Sequence, residues 1–238
     1  MKKLLLLAFL AVGMTAYAET FVTDDDKKKE QNDSGVDLGK GKDDNDRWTL
    51  HAYVGVDVPT GAPDGVKFAP FRSWEINATL LQYDYRPKTS KTTLSAGLGF
   101  DWRTYTLKGH KDGFQKLGNV VSVNPMAGMG FDDFSSNIHT VSLSMPLLVK
   151  QRFSKDFAVT LGAQLNWNFA GRLHNNSELG DVETDIYTNN IGQRPFTVDI
   201  LGIVHVWELG FYCKYSPMSV LKKDRGVEFQ SLAFGLYF

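Results

Sequence analysis

Between Phe157 and Phe169 the chain alternates with a period of two. Phe157, Val159, Leu161, Ala163, Leu165, Trp167 and Phe169 take the odd positions, and Ala158, Thr160, Gly162, Gln164, Asn166 and Asn168 the even ones. A helix would scatter the first set around its circumference, whereas a strand puts all of it on one side. The pattern recurs. Trp48, Leu50, Ala52, Val54, Val56 and Val58 oppose Thr49, His51, Tyr53, Gly55 and Asp57; Leu94, Ala96, Leu98, Phe100 and Trp102 oppose Thr93, Ser95, Gly97, Gly99, Asp101 and Arg103. Residues 140–150 repeat it, and 196–206 and 209–216 do so less cleanly. Residues 73–86 start in phase and slip at Leu81, which predicts a bulge. With residues 228–238 this makes eight strands, several longer than the ~5–6 residues usual in soluble sheets and close to the ~9–11 that cross a bilayer.

The connections are long (59–70), short (87–91), long (108–138), short (153–156), long (174–195), short (207–208) and long (217–227). That alternation is expected of an antiparallel transmembrane barrel, with short turns at one membrane face and long loops at the other. Closure removes the sheet edges that lipid could not hydrogen-bond. The aromatics fall in two bands under this topology. Trp48, Phe153, Phe157, Trp207 and Phe238 sit at the short-turn end, and Phe71, Trp74, Trp102, Trp167, Phe169 and Phe196 at the long-loop end, as interfacial girdles would. The predicted fold is therefore all-β, an eight-stranded antiparallel transmembrane β-barrel over residues 48–238. Leu117–Val123 inside the loop 108–138 could add a hairpin and give ten strands.

Composition agrees. A chain of 238 residues with 42% hydrophobic and 13% aromatic side chains is too apolar for general disorder. A net charge of −1 gives no basic face for nucleic acid. One cysteine excludes an internal disulfide framework and a Cys-pair zinc site. Mean hydropathy of −0.24 speaks against a polytopic helical membrane protein but not against a barrel. Residues 1–18 read as a signal peptide: Lys2 and Lys3, an apolar run Leu4–Val12, then Ala16-Tyr17-Ala18 as a cleavage site. Residues 19–47, opening with Asp24, Asp25, Asp26, Lys27, Lys28, Lys29 and Glu30, lack apolar periodicity and read as a disordered charged tail.

Several stretches carry a resemblance. Leu232, Phe234, Leu236 and the terminal Phe238 share one face and resemble the C-terminal insertion signal of bacterial outer-membrane proteins, which implies handling by the barrel assembly machinery. Ser144–Lys150 followed by Phe157–Leu165, Leu209–Pro217 and the ending FQSLAFGLYF resemble the corresponding strands of the PorT-like outer-membrane β-barrel proteins of Bacteroidota. The resemblance implies the fold and an outer-membrane location. It implies an accessory role in secretion only through the protein that lends the family its name.

On the polar faces of the strands stand His51, Asp57, Glu75, Asp101, Arg103, Lys150, Asp199, His205 and Lys214. Acids and bases so close must pair or be hydrated. Eight strands leave a lumen about filled by side chains, so these residues predict a salt-bridge plug, with a gated narrow channel for small solutes as the competing reading. No catalytic, cofactor or metal site is expected. His139 and Ser142 are three apart and face opposite sides of a strand, and Asp132, Asp133, His110, His139 and His174 read as scattered loop residues. Cys213 shares an outward face with Phe211 and Tyr215. The expected role is structural or surface-interacting, as in OmpX-like proteins, with outer-membrane lipid around the wall and an extracellular ligand or protein at the long loops.

Overall fold

The computed structural model describes residues 35–40, 47–88, 90–109, 111–126, 130–207 and 209–238. The stretch 1–18 read as a signal peptide with its cleavage site, most of the segment 19–47 and His110 lie outside the described residues. The elements are β1 (Val36–Lys40), β2 (Arg47–Thr60), β3 (Trp74–Tyr85), β4 (Thr92–Thr106), β5 (Asp112–Leu117), β6 (Val120–Pro125), β7 (Asp133–Arg152), β8 (Phe157–Leu179), β9 (Val182–Asn189), β10 (Phe196–Val206), β11 (Leu209–Ser216) and β12 (Gln230–Tyr237), with one 3-10 turn at Pro70–Arg72.

Eight strands close a ring in the order β2, β12, β11, β10, β8, β7, β4, β3 and back to β2, each pair antiparallel. The pairing is staggered. From Asp57 the ladder runs through Ala233, Lys214, Leu201, Gly162, Leu148, Ser95 and Asp84 and returns to β2 at Arg47, ten residues away. An eight-stranded ring with that offset has strands tilted by about 40° to its axis and an interior just wide enough for side chains. The phase slip at Leu81 is a bulge, since the register against β4 jumps between Thr79 and Leu81.

The short connections are tight. Trp207, with φ 54°, lies in the turn that joins the Val206↔Leu209 pair. At 153–156 the amides of Phe153 and Ser154 both donate to Phe157 O, at 3.0 and 3.1 Å. Alternation is clean on the wall: along β11, Leu209, Phe211, Cys213 and Tyr215 are exposed while Gly210, Tyr212, Lys214 and Ser216 are buried. Aromatic contacts gather at the two ends, Trp48 with Tyr83 and Phe153 with Phe157 at the short-turn end, Trp167 with Phe169 and Phe100 with Trp102 toward the other.

Three expectations need correction. Leu117–Val123 does contribute to a hairpin, β5–β6, but this is a separate two-stranded sheet, so the ring stays at eight. The segments expected as long loops are largely folded. β7 and β8 rise past the ring, β9 adds to β8, and the segments 61–73, 107–109, 111–126, 190–195 and 217–229 converge on an apolar core. That core holds Phe68, Tyr105, Leu107, Phe114, Ile138 and Phe229, and it caps the long-loop end. Finally, the tail assigned to 19–47 is not unstructured throughout. Val36–Lys40 pairs with Arg47–Leu50, beyond the point where Phe238 and Ala52 exchange backbone bonds of 2.8 and 3.0 Å. β1 thus continues the line of β12 along β2, because the first residues of β2 outrun their partner and would otherwise leave a bare edge.

A ring of polar side chains closes the lumen

The inward positions of β2, β3, β4, β10 and β11 deliver Asp57, Glu75, Asp101, Arg103, Asp199 and Lys214 to one cluster, and all six are buried. Arg103 is its hub. Its Nη2 bonds Asp101 Oδ2 at 2.6 Å and also reaches Asp199 Oδ2, its Nε donates to Asp101 Oδ2 at 3.0 Å and lies 3.6 Å from Glu75 Oε2, and its Nη1 donates to Ser216 Oγ at 3.0 Å. Lys214 Nζ lies 2.6 Å from Glu75 Oε2 and 3.1 Å from Asp101 Oδ2.

Neutral groups complete the network. Lys214 Nζ donates to Tyr53 Oη at 3.0 Å and lies 5.0 Å from the centre of that ring. Tyr53 Oη donates to Gln164 Oε1 at 2.9 Å, Gln164 Nε2 donates to Asn166 Oδ1 at 2.9 Å, and Asn166 Nδ2 donates to Asp199 Oδ2 at 2.7 Å. The chain of bonds crosses the barrel from β2 through β8 to β10 and back through β4 and β11. Asp57, fully buried, faces Glu75, Arg103, Lys214 and Ser231, and neither of its oxygens has a well-formed hydrogen bond. Four carboxylates against two cations leave the cluster formally acidic.

Toward the short-turn end the lumen turns apolar, with Tyr53, Leu148, Leu201, Ile203, Tyr212 and Tyr237 in one cluster. Gly55 is required there: a Cβ would stand 2.2 Å from Tyr212 Oη and 2.4 Å from Phe234 O. His51, His205 and Lys150 lie below this belt. Both rings contact Tyr237, at centroid separations of 5.2 and 5.8 Å. Lys150 lines a cavity of about 20 Å³ with Asp84, Thr93 and Thr160. A second cavity, of about 10 Å³, lies on the other side of the network against Arg103, Tyr105 and Asp199. Each has room for about one water.

The nine lumen residues expected from the sequence therefore divide. Six form the central cluster, while His51, His205 and Lys150 belong to the short-turn mouth, and Lys150 is only half-buried. Sequence reasoning overlooked Tyr53, Gln164, Asn166 and Ser216 as bridges, although period-two phasing had set Tyr53, Gln164 and Asn166 on the inward face. It overlooked the apolar belt because Leu148, Leu201 and Ile203 stand inward among residues whose neighbours are equally apolar.

Above the ring, His139 and His174 come together with centroids 5.9 Å apart, His174 Nε2 lies 2.6 Å from Asp185 Oδ1, and Tyr187 stacks on His174 at 4.5 Å. Asp132 instead accepts the Gly180 amide at 2.7 Å. Among the described residues no group of three or more His, Cys, Asp or Glu is placed to hold a metal ion. Leu232, Phe234 and Leu236 point outward on β12, next to the Val54–Val58 face of β2, and Phe238 follows them. Cys213 is exposed on the outer wall.

No model of a known protein family matches the chain. No curated protein matches it either.

Proposed function

We propose that this chain is an integral outer-membrane β-barrel protein, closed by its polar lumen, that works through its long-loop end in a structural or surface-interaction role. The observation that carries the reading is the inversion of the ring. Leu161 is 61% exposed and Ile200 57%, with Phe211, Phe234, Leu98 and Val149 also exposed around the wall, while Glu75, Asp101 and Asp199 inside are fully buried. Such a wall costs little only where the surroundings are themselves apolar. Rings at both ends suit headgroup depth, and the resemblance of several strands to PorT-like proteins belongs to the same reading, as do export by the signal at 1–18 and insertion through Leu232, Phe234, Leu236 and Phe238.

The test is fractionation and gel mobility of the full-length protein expressed in a Gram-negative host. The expected result is recovery in the outer-membrane fraction after alkaline extraction, with a compact band that shifts on boiling. Recovery as a soluble protein overturns the reading. The channel alternative draws no support from the lumen, where the Arg103–Lys214 network separates two water-sized cavities. Conductance in planar bilayers should therefore stay near baseline, and large steady currents would restore the channel.

A further inference from the structure

Beyond the ring, one strand edge is left bare. β9 pairs with β8 over eight residues, from Arg172↔Asn189 to Leu179↔Val182, and has no other neighbour in the sheet. From outside the hairpin, Lys116 Nζ reaches the base of this strand and donates to Asn189 O at 3.1 Å. The pairing runs without a register shift, and the strand Val182-Glu-Thr-Asp-Ile-Tyr-Thr-Asn189 contains no Pro and no Lys. Bulges, prolines and charged side chains, lysine above all, are what normally blunt an edge, and here the only charges are the acids Glu183 and Asp185. Val182, Thr184, Ile186, Tyr187 and Thr188 are instead residues that favour a pleated strand.

The two faces of this edge differ. On one, Glu183 and Asp185 stand beside Asn176, whose Nδ2 donates to Glu183 Oε1 at 2.7 Å and Asp185 Oδ1 at 3.1 Å. On the same face His174 Nε2 lies 2.6 Å from Asp185 Oδ1, and Arg172 lies at the base over Tyr187, 5.5 Å from its ring centre. On the other, Val182 is 64% exposed and Ile186 54%. An edge of this kind recognises an extended segment through backbone bonds and selects it through alternate side chains.

We infer that β9 is a docking edge for an extended segment of a partner protein, which adds as a further strand. That segment carries Lys or Arg at alternate positions facing Glu183 and Asp185, and apolar residues facing Val182 and Ile186. A second copy of this chain fits less well, because it would set acidic side chains against acidic ones across the new strand pair. The inference rests on the reading of the long-loop end as the exposed working face.

The test uses the full chain in zwitterionic lipid nanodiscs, empty nanodiscs as the blank, and a labelled eight-residue peptide of alternating Lys and Val followed by fluorescence anisotropy. Saturable binding is expected, weakened about tenfold by Glu183→Lys with Asp185→Lys, which should in turn bind an alternating Glu-Val peptide. A Lys-Val peptide N-methylated along one edge keeps its charge but loses one row of donors, and should not bind. Equal binding of the N-methylated peptide, no effect of the double substitution, or self-association through β9 each overturns the inference. Thr184→Cys, set against the unsubstituted chain with its own Cys213, reports the premise separately. Labelling in intact cells by a membrane-impermeant maleimide with no peptide binding overturns the docking edge alone, while a folded barrel that stays unlabelled overturns the surface reading.

Discussion

The molecule has two interiors of opposite character. Inside the ring, Arg103, Lys214 and four carboxylates are buried; in the cap, Phe68, Leu107, Phe114, Ile138 and Phe229 are. The change takes place within two residues of one strand, since Arg103 on β4 belongs to the network and Tyr105 to the apolar core. What differs is the outside. The ring turns its apolar side chains outward, so its interior is left with the polar set and must satisfy it by pairing. The cap exposes Lys108, Glu178, Lys222 and Asp224 alongside apolar residues such as Leu117 and Ile186, and buries its other apolar side chains in the ordinary way. The sign of an interior thus follows from what the wall faces.

The largest effect expected is on the ring. Arg103→Met leaves Asp101 and Asp199 without their principal cation, and breaking a buried pair from one side costs about 3–5 kcal/mol. Urea unfolding of the protein folded into lipid vesicles, followed by tryptophan fluorescence, should show the whole transition moving to lower urea. Phe229→Ala removes a buried ring of the cap and also costs about 3–5 kcal/mol where the cap is intact. There the comparison predicts a local loss: proteolysis within 107–132 or 217–229 should accelerate while the heat-shifted band of the ring persists. A common transition for both variants would show that the two interiors are one cooperative unit.

A smaller effect tests the wall. Leu161 pairs with Val149 and Gly202 and lies between the aromatic clusters of the two ends. Leu161→Arg should cost about 2–4 kcal/mol if lipid surrounds it. On a wall facing water the same change should stay within about 0.5 kcal/mol. The vesicle unfolding midpoint decides between them, and a negligible shift would break the explanation given for the polar lumen.

How much of this was legible in the sequence follows from the same contrast. In the ring each strand repeats one local rule. Glu75, Asp101 and Lys214 could be phased inward, and the slip at Leu81 read as a bulge, from a dozen residues at a time. The cap has no such rule. Phe68, Phe114, Ile191, Leu221 and Phe229 come from separate segments and meet through long-range contacts such as the Phe68↔Leu107 and Gln193↔Leu221 bridges. β1 escaped notice for a related reason: Val36–Lys40 has too few apolar residues to show a period, and its pairing is fixed by the overhang of β2. Period-two phasing also gives a face but not a depth, so it put Lys150 and Lys214 in one class.

Those two lysines give the finest test. Lys214 is buried and held between Glu75, Asp101 and the Tyr53 hydroxyl, whereas Lys150 is half-buried at the short-turn mouth, on the far side of the belt formed by Leu148, Tyr212 and Tyr237. An ion pair open to solvent contributes about 0–1 kcal/mol, far less than one whose loss strands a buried carboxylate. Lys150→Met should therefore shift the urea midpoint slightly, by about 0.5 kcal/mol or less, and the shift should shrink further as salt is raised. Lys214→Met should behave like Arg103→Met and hold its cost at high salt, because screening ions do not enter a lumen with water-sized cavities. If the two lysines cost the same, the charged network reaches the short-turn mouth, and the apolar belt between them does not divide the lumen.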